Sequence, residues 1–134
     1  MVFHKLSKFE EIVRDILRQA GIPFIMEKNF TDLRRGKYRY DFYLPEQGIL
    51  IECQGRQHYE FTSFFYKSRS EATRARERDR KKCNFALAKG LKLYCIPYWE
   101  IENLYSADDL FQDKFLVRTQ FHNDIAYAEY KKTR

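Results

Sequence analysis

A chain of 134 residues that is 44% hydrophobic and 17% aromatic is most simply one domain, long enough for a real core and not a disordered or low-complexity segment. A net charge of +6 points to an anionic partner, nucleic acid first, while three cysteines (Cys53, Cys83, Cys95) without CxxC spacing argue against a disulfide framework or a zinc knuckle and for a reducing cytosol. No apolar signal core opens the chain and no run of about 18 apolar residues offers a membrane span, so a soluble, cytoplasmic protein is expected.

Residues 7–20 repeat apolar side chains at helical spacing, with Phe9, Val13, Ile16, Leu17 and Ala20 on one stripe and Ile12 beside it. Ser7 and Glu10 have capping-box spacing, and Gly21 marks the stop. At about 100° per residue Glu10 borders the stripe and Glu11 points nearly opposite, so Glu11 is expected in solvent. Glu10 is either the cap partner or an acid leaning toward a site beside the core. Residues 23–28, PFIMEK, read as a first strand. The polar loop TDLRRGK, with Arg34, Arg35 and Lys37, leads to a second strand over residues 38–44.

Pro45, Glu46, Gln47 and Gly48 supply turn chemistry, and residues 49–54 return as the other arm of a hairpin. Alternation puts Glu52 and Gln54 on one face of that strand and Ile49, Ile51 and Cys53 on the other. Asp41 is expected to face away from Tyr40 and Phe42 by the same rule. Residues 59–70 are rich in Phe and Tyr without a clear period and read as irregular. Tyr59, Phe61, Phe64, Phe65 and Tyr66 there serve either as packing under the next helix or as a wedge between bases.

Residues 70–89 form a long helix of mixed charge closed by Gly90, with Ala72, Ala75, Cys83, Ala86 and Leu87 as the buried stripe. Asp79 falls in the middle of that stripe. It either pairs with one of the many arginines or is aimed across at His58 to orient the imidazole. Arg74, Arg78 and Lys81 lie off the stripe, with Arg80 and Lys82 flanking it, as on a solvated face or a phosphate-contacting one. Residues 91–97 resume as a strand, and the strand–helix–strand spacing argues for a parallel crossover. A short helix or turn follows at 98–105 around Trp99, and another helix at 107–116. Residues 118–134 read as a docked helix or a partner-binding tail. The expected fold is α/β, with a mixed sheet of four or five strands flanked by helices.

Asp41 and Glu52 bring two carboxylates to adjoining strands, with the Cys53 backbone carbonyl nearby. Acids there repel unless a cation sits between them, and all-oxygen ligation suits Mg²⁺ or Mn²⁺. A metal so held polarises a phosphodiester and activates water, and the basic helix makes a nucleic-acid backbone the expected target. Zinc is disfavoured because His4, His58 and His122 are scattered, and no phosphate-loop motif is present.

Taken in order, S-x-x-E at 7–10, DFYLP at 41–45, IECQGRQHY at 51–59, RDRKK at 78–82 and IPYWEIENL at 96–104 form a larger pattern. Over residues 7 to about 104 it resembles the PD-(D/E)XK nuclease superfamily, the restriction-endonuclease-like fold. The resemblance is to the branch with very-short-patch-repair and small phage-type or homing endonucleases and its E…D…x…H…D site. It implies a Mg²⁺-dependent DNA endonuclease in a bacterial or phage-infected cell. Glu10, Asp41, His58 and Asp79 would fill the four named positions, with Glu52 and Gln54 on the strand between. It further implies metal ligation by Asp41, Glu52 and the Cys53 carbonyl, with Glu10 completing the shell. His58 would act as general base or phosphate donor with its tautomer fixed by Asp79. Gln54 departs from the superfamily pattern, where Lys is usual; Gln can still orient water or contact phosphate.

Arg34, Arg35, Lys37, Arg56, Arg74, Arg78, Lys81 and Lys82 are the expected DNA contacts. The rival expectations are a non-catalytic nucleic-acid-binding module that kept the fold, and an assembly subunit with a protein partner. Monomer versus homodimer is left open.

Overall fold

The computed structural model describes residues 5–134; His4 lies outside them. The chain folds as an α/β domain around a four-stranded mixed sheet in the order β1-β2-β3-β4: β1 (Ile25–Asn29), β2 (Arg39–Leu44), β3 (Ile49–Gln54) and β4 (Lys92–Pro97). The first three strands are antiparallel neighbours, and β4 runs parallel to β3. Parallel neighbours need a crossover. Helix α2 (Arg69–Ala88) supplies it.

Helix α1 (Lys8–Gln19) starts at Ser7, whose hydroxyl accepts from the Glu10 amide while the Glu10 carboxylate accepts from the Ser7 amide. Its buried residues Phe9, Val13, Ile16 and Leu17 join Phe42, Leu44, Ile51 and Ile96 on one face of the sheet. Ala20 is exposed at the helix end, and Glu11 is half-buried instead of fully solvated. On the other face Cys83 and Ala86 of α2 pack with Tyr40, Leu50, Leu93 and Cys95. Leu87, expected in that stripe, is 40% exposed, because at this turn the buried side of α2 runs through Cys83 and Ala86, with Phe85 packed against them.

The hairpin closes where the Gln47 and Gly48 amides both donate to the Leu44 carbonyl. Gly48 has φ +67°, a conformation that glycine adopts without a Cβ clash. The free edge of β4 is covered by the chain that follows. The Val117 amide donates to the Leu93 carbonyl at 2.8 Å, and Tyr94 bridges to Leu116.

The helix expected over 107–116 is broken in two. Helix α3 (Ala107–Leu110) is a single turn, Gln112 is extended, and Asp113–Phe115 is a 3-10 turn that buries Phe115. The C-terminal segment contains helix α4 (His122–Lys132). It docks through Tyr130, whose ring stacks on Trp99 at 4.1 Å and 7°, and through Tyr127 on Tyr59. Between His58 and Arg69 the chain is irregular; Tyr59 is buried, while Phe64 is 82% exposed. Among the described residues no helix is long and apolar enough to cross a membrane.

Candidate functional site

The site begins where the hairpin ladder stops. β2 and β3 pair through Leu44↔Ile49, Tyr43↔Leu50 and Phe42↔Ile51, and continuing that register would set Asp41 opposite Glu52. There the side chains replace the backbone as partners. The Cys53 amide donates to Asp41 Oδ2 at 2.7 Å, and the Asp41 amide donates to Glu52 Oε2 at 3.2 Å. The simple alternation expected for β2 fails at this point: Tyr40 belongs to the α2-side cluster and Phe42 to the α1-side cluster, with Asp41 between them. Opposite Asp41 in β1, between the Met26↔Phe42 and Lys28↔Tyr40 pairs, Glu27 has φ +53°. Non-glycine residues rarely take that conformation inside a strand, and it marks the same local distortion.

Two acids held this closely, and screened from water, compete for charge. Burial first, then the Glu52 charge and the bond to it, push the Asp41 carboxyl well above the usual carboxylate range. The Cys53 amide and Lys82 pull the other way without reversing the shift. Glu52 is paired with Lys82, whose Nζ meets Glu52 Oε1; the two side chains are only 7% and 11% exposed. Burial alone would depress the Lys82 ammonium, but the charges of Glu52 and Asp41 outweigh it and raise it. Lys82 is thus a member of the acid cluster, not a flanking surface residue. Lys82 is three residues beyond Asp79 and next to buried Cys83, which places it on the sheet side of the helix above Glu52.

His58 and Asp79 meet as the helical geometry allowed, Nδ1 to Oδ2 at 2.9 Å, with the Asp79 side chain 13% exposed. An ionised Asp79 accepts from Nδ1–H and leaves Nε2 as the acceptor nitrogen. Gln54 is buried and its Oε1 accepts from the Tyr59 hydroxyl at 3.0 Å, which leaves its amide hydrogens for another partner. Asp79 lies within electrostatic range of Lys82, as do Asp41 and Glu52, which ties the imidazole pair to the acids. Glu10 serves as the cap partner of α1. Its charge also reaches the Cys53 thiol, which burial and the acids Asp41, Glu52 and Glu10 push upward.

A groove of about 580 Å³ opens beside this cluster. It is lined by Arg34, Lys37, Arg39, Arg74, Arg78, Lys81 and Lys82, with Tyr38 and Glu77. Arg34 from the loop and Arg78 from α2 both lie over the Tyr38 ring at 5.9 Å. Such cation–π contacts converge the two arginines on one wall. Arg34, Arg35 and Gly36 have consecutive positive φ values of 48°, 55° and 77°, a strained turn at the groove edge. Six of the eight expected DNA contacts line this groove. Arg35 sits in the adjoining turn, and Arg56 is committed elsewhere, to Glu60 at 2.9 Å. Arg39, at the start of β2, was missed because it read only as a strand residue.

Among the described residues no group of three or more His, Cys, Asp or Glu forms a metal-binding set. Asp41 and Glu52 remain as a pair of carboxylates, and Cys53 is joined to Asp41 through its amide. The oxygen donors of Glu52, and of Asp41 once its proton is displaced, fit a hard cation such as Mg²⁺ or Mn²⁺.

No family model matches the chain. The chain is similar to the protein named "Uncharacterized protein 094L" of Frog virus 3 (isolate Goorha), at 41% identity over 97 residues covering 69% of this chain and 63% of that protein. The chain therefore matches less than two thirds of that viral relative's length.

Proposed function

We propose that this chain is a Mg²⁺- or Mn²⁺-dependent DNA endonuclease of the PD-(D/E)XK type, with Asp41 and Glu52 as the cation-binding acids. The observation that carries the reading is the adjacency of two chemistries. A buried acid pair beside an imidazole–carboxylate pair shares Lys82 with a groove whose other walls are almost entirely basic. The bound cation would supply polarisation of the phosphodiester and of a water nucleophile.

The residues of the chain do the rest. Asp79 fixes the His58 tautomer so that Nε2 can take a proton from water or, once protonated, give one to the leaving oxygen. Gln54, its carbonyl held by Tyr59, offers amide hydrogens to water or to a phosphate oxygen. Arg34, Arg74, Arg78 and Lys81 bind the backbone through phosphate contacts and carry no sequence information themselves.

The test is plasmid nicking by the wild-type chain in Mg²⁺, in Mn²⁺ and in EDTA, alongside Asp41→Asn. Metal-dependent nicking by the wild type that the variant lacks is expected. A variant that cuts at the wild-type rate removes Asp41 from the site, and a wild type inert with both metals rejects the nuclease. A second reading, a nucleic-acid-binding module of the same fold without catalysis, is favoured by the Glu52–Lys82 pair, which already compensates one acid, and by the neutral Gln54. It predicts tight, salt-sensitive DNA binding with no cleavage in either metal.

A further inference from the structure

Resting on the nuclease reading, we infer that Lys82 is an exchangeable internal counter-ion: it holds Glu52 until a divalent cation takes the carboxylates, then turns its ammonium to a phosphate in the basic groove.

The cation at Glu52 comes from α2, not from the strand that carries Glu52. Both partners are nearly inaccessible to water, and a carboxylate in that position is costly without a positive charge beside it. Some cation must therefore be present at every stage. A dication that ligates Glu52 and Asp41 meets the requirement better than an ammonium and makes the ammonium redundant. Two cations crowded on one acid pair repel, so one leaves.

The lysine is built to be the one that leaves. Its backbone is fixed: the Tyr40 hydroxyl donates to the Lys82 carbonyl at 2.7 Å, which pins that turn of α2 against β2. Its side chain is not fixed in the same way. The ammonium lies 5.0 Å above the Tyr40 ring and ends at Glu52, on a stem of four carbons with several rotamers. Lys82 also lines the groove with Arg78 and Lys81. A rotamer change thus carries the charge from acid to groove without moving the helix. Metal loading and phosphate binding would then be coupled through one side chain. Gln54 cannot act this way, being neutral and held by Tyr59.

The test measures Mn²⁺ binding to the full chain without DNA, by calorimetry, for wild type, Lys82→Met and Lys82→Arg. Removing a competing unit charge at this distance is expected to tighten Mn²⁺ binding in Lys82→Met by at least about tenfold. Lys82→Arg, which keeps the charge, is expected to bind as weakly as wild type. A folded Lys82→Met with unchanged or weaker Mn²⁺ affinity overturns the exchange. If circular dichroism shows that the methionine variant does not fold, Lys82→Gln is compared with Lys82→Arg and the same ordering decides. A wild type that cuts DNA, with no tightening in the neutral variants, removes the exchange alone. The expected affinity order in a chain that cuts no DNA leaves the exchange standing and removes the nuclease reading.

Discussion

Asp41→Asn should make the metal-free protein more stable, although it is the substitution that should abolish cleavage. Asp41 Oδ2 accepts from the Cys53 amide, and the carboxyl also bonds to Glu52. Asparagine reproduces the protonated form of that arrangement: its oxygen takes the Cys53 N–H and its amide donates to Glu52. Burial and the Glu52 charge raise the Asp41 carboxyl, so the native state holds its proton at pH values where the unfolded chain has lost it. Stability therefore falls as pH rises from about 4, the unfolded value, through the raised native value. Each tenfold change in proton affinity is worth about 1.4 kcal/mol. A gain of about 1–3 kcal/mol at pH 8 is expected for the variant, on the order of 4–12 °C in Tm for a chain of this size. Thermal unfolding in EDTA from pH 4 to 8 reads it, and the gain should shrink toward the acid end, where wild-type Asp41 is protonated in the native state and about half protonated in the unfolded chain. Mn²⁺ at a hundredfold excess over its Kd should add about 2.7 kcal/mol to the wild type and little to the variant. A variant less stable than wild type at pH 8 in EDTA would refute the electrostatics argued for this site.

Asp79→Asn should lower kcat by about 10–100-fold through loss of His58 orientation, with DNA affinity unchanged by fluorescence anisotropy. Arg78→Ala and Lys81→Ala should each reduce the slope of log affinity against log salt by about one, and a double variant by about two. Trp99→Ala should cost about 2–3 kcal/mol in urea denaturation, because its half-buried ring packs on Tyr130, Tyr59 and Tyr98 together.

What the sequence made legible was whatever local chemistry decides. The turn at Pro45–Gly48 fixed the hairpin so firmly that β3 begins and ends where expected, and the capping box fixed the start of α1. Helical spacing put Asp79 on the buried stripe, where an acid must find a partner, but left an arginine and His58 both open; the fold brings it to His58. What escaped was decided by tertiary context. Periodicity could not reveal that β2 changes face at Asp41, because the break depends on side-chain bonds to a different strand. Nor could a wheel projection tell Lys82 from its neighbours. A lysine on the border of a stripe reads as solvated until the strand beneath it is known to carry Glu52. The 107–116 segment kept its helical composition but lost its helix, as the extended Gln112 redirects the chain to bury Phe115.

The ladder break also decides which substitution is a fair probe of chemistry. Asp41 is at once an acid of the site and a structural acceptor, standing in for a β2 carbonyl opposite the Cys53 amide. Asp41→Asn removes the charge and keeps the acceptor. Asp41→Ala removes both and leaves a shielded N–H without its partner, at a cost of about 1–3 kcal/mol. The two variants should therefore be equally inactive but differ in stability, alanine lying below asparagine by that amount in EDTA at pH 8. Amide exchange at Cys53 should be markedly faster in the alanine variant alone. If the two unfold at the same temperature and protect Cys53 equally, Asp41 is not holding the strands where they part. The inactivity of either variant could then be read as loss of charge alone.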